Sequence, residues 1–265
     1  MRIFLTGACN ARDIGGIATA NGTTKLHRLV RCGELSRITP QDVSVLQALP
    51  LQRVVDLRTA EEMQRSPDVK IEGVQYLHNP IIRSTTFGIT YEKSSGSEIA
   101  QMLQAGLERM RQRGETYFQH MELLYRRFVS DEYSRKGYGS FLRLLAQHPT
   151  NGVTLWHCTA GKDRVGTCTA LLLHCLGASK EQIFEDYLLT NVQSADSTNS
   201  IVNKVKGFVS DDNVRLIEKM LSADAAFLQG FFDEIDHLFG SIENFLSDCG
   251  VTENDITLLR ENYLD

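Results

Sequence analysis

Residues 152–176 constrain this chain more than any other stretch. Residues 152–156, Gly-Val-Thr-Leu-Trp, form a short apolar run fit for a buried strand. A polar turn follows, His157-Cys158-Thr159-Ala160-Gly161-Lys162-Asp163-Arg164, and residues 165–176 are apolar over a length that suits a helix. A cysteine therefore stands where a strand ends, and an arginine where a helix begins. A helix N-terminus presents unpaired backbone N–H groups and the positive end of a dipole, so such a turn attracts an anion. The same field keeps a thiol as its nucleophilic thiolate. Arg164 adds a planar fork that matches two phosphoryl oxygens, which lysine cannot supply. Gly161 and Gly166 relieve the backbone where it curls around a ligand or packs closely. Cys158 could then attack phosphorus, form a phosphocysteine and pass the phosphoryl group to water.

A Walker A loop is excluded, because it needs glycine at 156 and serine or threonine at 163, where Trp156 and Asp163 stand. The run from His157 to Gly166 resembles the signature loop of the cysteine-dependent phosphatases. Its Ala160-Gly161-Lys162-Asp163-Arg164 form resembles an atypical bacterial-type branch that acts on phosphotyrosine and, in many members, on phosphoinositides. Two further segments resemble blocks of that family: Asn10-Ala11-Arg12-Asp13-Ile14-Gly15-Gly16, and Asp56-Leu57-Arg58. The resemblance implies an α/β fold, with a mostly parallel central sheet flanked by helices and a helical lid within residues 195–240. It implies a phosphomonoesterase with Cys158 as nucleophile and Arg164 as clamp. The backbone of Thr159, Ala160, Gly161 and Lys162 would bind the equatorial oxygens, and no metal or cofactor is needed.

The leaving oxygen needs a general acid. Asp163 holds the place of the branch's characteristic aspartate and is favoured over Asp56, with Asp68 and Asp131 as distant options. Lys162 is the family's contact for further phosphates of an inositol ring, or else a general electrostatic support. His157 orients the loop and tunes the thiol. Arg12 and Asp13 read as a structural ion pair beneath the loop or as substrate contacts. Asp56 and Arg58 end a strand, so they should face the same sheet edge as Cys158; Asp56 either positions the loop or takes part in catalysis. Most relatives carry serine or threonine after the arginine, to help the thiolate leave phosphocysteine; this chain has Val165. A phosphate-binding pseudophosphatase with little turnover is the alternative. A thiol-redox or arsenate-reducing enzyme lacks a partner cysteine at short spacing.

The remaining pattern suits one catalytic domain over residues 1–265. A hairpin turn is expected at Asn21-Gly22, a helix over 40–49 capped by Thr39, and strands over 53–58 and 73–80. A loop is expected over 83–97, then helical segments over 98–147, broken near Gly114 and across 131–139. The apolar helix 165–176 should stop at Gly177, with Cys168, His174 and Cys175 packed inside. Ser179-x-x-Gln182 reads as a capping box. Arginines from Arg109 to Arg135, with Lys136, form either a solvated helix face or a basic rim suited to polyanionic lipid headgroups.

A net charge of −5 argues against a nucleic-acid partner. The expected partners are a phosphorylated protein or a phosphoinositide, and the oligomeric state stays open. No apolar run approaches a bilayer span, so stable membrane insertion is not expected. Six scattered cysteines suit a reduced, cytoplasmic setting, with leaderless secretion as an effector the other option.

Overall fold

The computed structural model describes residues 1–85 and 96–265. The chain opens with β1 (Arg12–Asp13), a hairpin of β2 (Ala18–Thr19) and β3 (Gly22–Thr23), and β4 (Leu29–Cys32). Helix α1 (Pro40–Ala48), β5 (Leu51–Asp56), α2 (Ala60–Arg65) and β6 (Gln75–His78) follow. Three helices, α3 (Gly96–Gln112), α4 (Tyr117–Ser130) and α5 (Glu132–Gln147), precede β7 (Val153–His157) and α6 (Asp163–Leu176). The chain closes with α7 (Lys180–Gln193), α8 (Ala195–Val205), α9 (Asp211–Leu221), α10 (Ala225–Phe239), α11 (Ile242–Asp248) and α12 (Glu253–Tyr263).

Among the described residues the main sheet has the order β1-β4-β7-β5-β6, with only the β1–β4 pair antiparallel. The mostly parallel sheet flanked by helices is therefore present as expected. Side chains alternate across it. Leu29, Val55 and Trp156 join the large core under the helices, while Val30, Val54 and Leu155 join a smaller core on the opposite face. Because both faces are covered, β7 is buried at every residue, including the polar Thr154 and His157. Trp156 closes the large core edge-on to Phe141, and its indole N–H donates to Thr169 Oγ1 at 3.2 Å.

Local signals set several boundaries. Thr39 and Pro40 start α1, and Ser179 with Gln182 forms the capping box of α7. Gly177 ends α6 with a left-handed φ of 88°. The hairpin turns one residue early, since Thr19 pairs with Gly22 and leaves Ala20 and Asn21 at the bend. Most of the loop expected over 83–97 lies outside the described residues. The break expected across 131–139 is limited to Asp131, and α5 runs on through Gly137 and Gly139. Those glycines serve close packing: a Cβ at Gly139 would lie 1.8 Å from the Cys249 carbonyl oxygen, and one at Gly137 would lie 2.9 Å from that of Pro80. Their lost helix propensity, about 1 kcal/mol each, is offset by the contact. His174 is not packed inside as expected; it is partly exposed and sits 3.2 Å from Glu243, whereas Cys168 and Cys175 are buried. Burial pushes the Cys175 thiol up to about 12.

Candidate active site

The strand, turn and helix of residues 153–176 put Cys158 immediately after β7 and Arg164 in the first turn of α6. Both are buried, at 1% and 0% exposure. Gly161 adopts φ 65°, and a Cβ there would lie 2.5 Å from the Cys32 carbonyl, so the turn requires glycine. Gly166 lets Tyr187 approach, with its ring 2.8 Å from where a Cβ would stand. The N-cap of α6, Lys162, makes no side-chain cap bond. The amino end of the helix therefore keeps its capacity to bind an anion.

Arg164 is held by a residue the sequence reading passed over. Its two terminal nitrogens donate to the Glu62 carboxylate at 2.6 and 2.9 Å, while Nε, also buried, has no partner among the described residues. Thr159 Oγ1 donates to the same carboxylate at 2.7 Å. Burial would raise the Glu62 carboxyl, but the charge and hydrogen bonds of Arg164 hold it well below the usual carboxylate range. The sequence did carry a signal, since Thr59-x-x-Glu62 is a capping box and forms here as one. That local role gave no hint of an arginine 102 residues away.

A second buried cluster supports the turn from below. Arg12 donates to Asp186 Oδ1 at 2.9 Å and to its backbone carbonyl at 2.7 Å. Arg31 pairs with the other Asp186 oxygen and donates to the Gly161 carbonyl at 2.9 Å. Asn10, at φ 58°, donates to the same carbonyl at 2.6 Å. Burial would raise the Asp186 carboxyl, yet Arg31 and Arg12 hold it below its usual range. The ion pair expected between Arg12 and Asp13 is absent among the described residues. Neighbours on a strand face opposite ways, and Asp13 instead accepts from the amides of Gly15 and His27 at 2.8 and 2.7 Å.

Asp56 and Arg58 lie at the sheet edge beside the turn, with Asp56 in register with His157. Arg58 binds Asp56 and Asp68 through one nitrogen at 2.7 and 2.9 Å, and Glu34 and the Ser66 carbonyl through another at 3.1 and 2.8 Å. His157 is fully buried here, with Nε2 3.0 Å from Asp68 Oδ2 but not aligned for a hydrogen bond. Burial would lower its pKa, but the charge of Asp56 raises it. Asp56, Asp68 and His157 are close enough to suggest a metal site. The guanidinium of Arg58 already engages both carboxylates, so the donor set is better explained as an ionic cluster.

Asp163 is buried, and its Oδ1 accepts from the Tyr125 hydroxyl at 2.7 Å. Lys162 does not stand open to solvent. Its ammonium donates to the carbonyls of Met220 and Ser222 at 2.8 and 3.3 Å, capping the end of α9, and lies 3.8 Å from Asp163 Oδ1. Val165 is buried, and Thr167 Oγ1 donates to backbone carbonyls of Asp163 and Arg164, inside its own helix. Beside the turn lies a small cleft of ≈ 100 Å³, partly open to solvent, bordered by Thr159, Ala160 and Lys162 and by Ser197, Ile201 and Lys204 of α8. Farther off, Arg111, Arg126, Arg135 and Lys136 are paired with Glu108, Glu122 and Glu234, Asp248, and Glu132 respectively. That pattern favours the solvated face over a free basic rim.

A family model described as the tyrosine phosphatase family matches residues 3–265. A protein of Cupriavidus necator with the provisional name tyrosine-protein phosphatase is 30% identical over 96% of this chain and 85% of its own. The triple specificity protein phosphatase PtpB of Mycobacterium tuberculosis is 27% identical over 97% of this chain and 96% of its own. A tyrosine-protein phosphatase of Nostoc commune is 30% identical over 61% of this chain and 47% of its own. The solved structure of TpbA from P. aeruginosa matches 75% of this chain and 91% of its own at 17% identity and a TM-score of 0.30, too low to bear on the fold. No helix among the described residues is long and apolar enough to cross a membrane. On the full-length family match and these relatives, this chain belongs to the bacterial tyrosine phosphatase family and is a tyrosine-phosphatase-type hydrolase.

Proposed function

We propose that the chain is a single catalytic domain that hydrolyses phosphotyrosine monoesters through a phosphocysteine on Cys158. The observation that carries this reading is the buried Arg164 guanidinium, fixed by Glu62 through two nitrogens at a helix end without a side-chain cap, its Nε unpaired among the described residues. Two fixed bonds give the fork one orientation, and the turn's backbone N–H groups complete a site for the equatorial oxygens as charge develops. Asp163 is the proton donor to the leaving oxygen. Asp56 is less suited, because Arg58 and His157 hold it in its ionised form against the effect of burial. Asp131 caps α5 instead, accepting from the Tyr133 amide at 3.3 Å.

Residues 195–240 supply the lid through α8, which borders the cleft, and α9, whose end Lys162 holds. Val202 and Val205 of α8, Ile217 and Met220 of α9, and Phe227 and Phe231 of α10 are all buried in the large core, so each of the three helices is anchored by its inner face. The resemblance of the signature loop makes phosphoinositides the substrates to compare with phosphotyrosine peptides, and the triple specificity in the name of PtpB supports a panel wider than phosphotyrosine alone. The test is phosphate release from that panel by wild type, Cys158→Ser and Arg164→Ala. Wild type should turn over phosphotyrosine peptides, and each variant should lose about 10³-fold or more. Retained activity in the serine variant sinks the covalent mechanism, and an inactive wild type that still binds phosphate supports the pseudophosphatase.

A further inference from the structure

Two tyrosine hydroxyls meet beside Asp163 in a place the mechanism above does not use. Tyr125 of α4 donates to Asp163 Oδ1 at 2.7 Å, and its oxygen lies 2.8 Å from the hydroxyl of Tyr187 in α7. Both rings are buried, at 0% and 1% exposure. A phenol has one proton to give. With that of Tyr125 committed to the carboxylate, the contact between the tyrosines must be a donation from Tyr187 to Tyr125. The direction of the chain is therefore fixed, running from Tyr187 to Tyr125 to Asp163 Oδ1. Burial keeps both phenols neutral, so both remain donors.

We infer that Tyr125 and Tyr187 are positioning residues for the general acid, presenting Asp163 Oδ2 to the leaving group and stabilising the carboxylate once its proton has gone. This rests on the reading of Asp163 as proton donor. In the first step the Cys158 Sγ–P bond forms while the bond from phosphorus to the leaving oxygen breaks, and that oxygen takes the proton from Oδ2. The negative charge left on Asp163 is met at Oδ1 by the Tyr125 hydroxyl, which Tyr187 polarises. In the second step the attacking water returns a proton to Oδ2 as the Sγ–P bond breaks, so the acid is regenerated. Other charged groups face this carboxylate too: Lys162 at 3.8 Å and the Arg164 guanidinium in the same turn. Arg31 and Asp224 act on Tyr187 with opposite signs.

A merely structural role, in which two buried hydroxyls satisfy each other, makes no demand on the pH profile. A positioning role does. Removing a donor to the carboxylate disfavours its ionised form, so the acid should hold its proton to higher pH. In Tyr125→Phe the basic limb of kcat/KM should move up by about one pH unit, the equivalent of one hydrogen bond. Tyr187→Phe should move it the same way by less. Asp163→Asn provides the control for the underlying reading, assayed with phenyl phosphate and with the better leaving group of 4-nitrophenyl phosphate. Its loss should be at least tenfold greater for phenyl phosphate. Equal loss on both removes Asp163 as the acid, and the tyrosine role falls with it. A leaving-group-dependent loss in Asp163→Asn, combined with an unmoved basic limb in both tyrosine variants, overturns the tyrosine role alone. If Tyr125→Phe does not fold, the limb in Tyr187→Phe decides the matter.

Discussion

Arg58 and Arg164 are both fully buried, Arg58 just beyond the end of β5 and Arg164 in the first turn of the helix that follows β7. They differ in what is left over. Arg58 faces three carboxylates, Asp56, Asp68 and Glu34, with the Ser66 carbonyl as well. Arg164 is hydrogen-bonded to one carboxylate, Glu62, through its two terminal nitrogens, and keeps a buried Nε with no partner among the described residues. An arginine surrounded by more negative charge than it can cancel has no further anion to recruit. One held by a single carboxylate is rigid but still electrostatically open. Saturation thus separates a guanidinium that fixes the sheet edge from one able to receive a phosphoryl group.

The largest effect should come from exchanging each arginine for lysine. Arg164→Lys keeps a positive charge for Glu62 but loses the fork, and kcat/KM should fall about 10²–10³-fold. Arg58→Lys leaves one ammonium to serve three carboxylates, so the cost should appear in folding, at about 3–5 kcal/mol. Urea unfolding and kcat/KM per folded molecule, measured on both variants, check the contrast. Equal losses of specific activity in the two would erase it.

Glu62 sharpens the comparison through pH. Its carboxyl is held below its ordinary value, against burial, by the charge and hydrogen bonds of Arg164. A carboxyl depressed in the folded state contributes stability that is present above its unfolded pKa, about 4.3, and lost as pH falls below it. Wild type should therefore lose stability in urea titrations from about pH 4.3 downward. Asp56 and Asp186, also depressed, steepen the same limb. Glu62→Gln should show a shallower acid limb and, with its hold on Arg164 weakened, a kcat/KM about tenfold lower at neutral pH. An unchanged acid limb would falsify the assignment of this pair to the stability budget.

Much of the site's frame was readable from local signals. The strand, turn and helix around Cys158, the start of α1 at Thr39 and Pro40, and the stop at Gly177 all depend on residues within one or two turns of each other. The partners of the charged residues were not readable. Arg12 reaches Asp186 across 174 residues, although Asp13 is its neighbour in sequence. Glu62 already had a sufficient local explanation as the third residue of a capping box. Tyr125 and Tyr187 are 62 residues apart and carry no local signal of their contact, which exists only because α4 and α7 bring their hydroxyls together. Gly137 and Gly139 read as a helix break because sequence shows their low propensity and hides the backbone packed against them.

The smallest expected effect concerns the residue directly after Arg164. In the family the resemblance points to, a hydroxyl there helps the thiolate leave phosphocysteine, and here the position is Val165, buried and without a donor. Thr167 does not take over, because its hydroxyl is committed to the carbonyls of Asp163 and Arg164 and accepts from Tyr138 at 3.0 Å. Breakdown of the intermediate should then be slower than its formation, giving a pre-steady-state burst of the leaving alcohol. Val165→Ser restores a hydroxyl at the matching turn of α6. One hydrogen bond to the departing sulfur is worth about 1 kcal/mol, so kcat should rise about fivefold and the burst should shrink. A wild type with no burst counts against this account, because formation rather than breakdown would then limit turnover, and a hydroxyl at 165 would have nothing to accelerate.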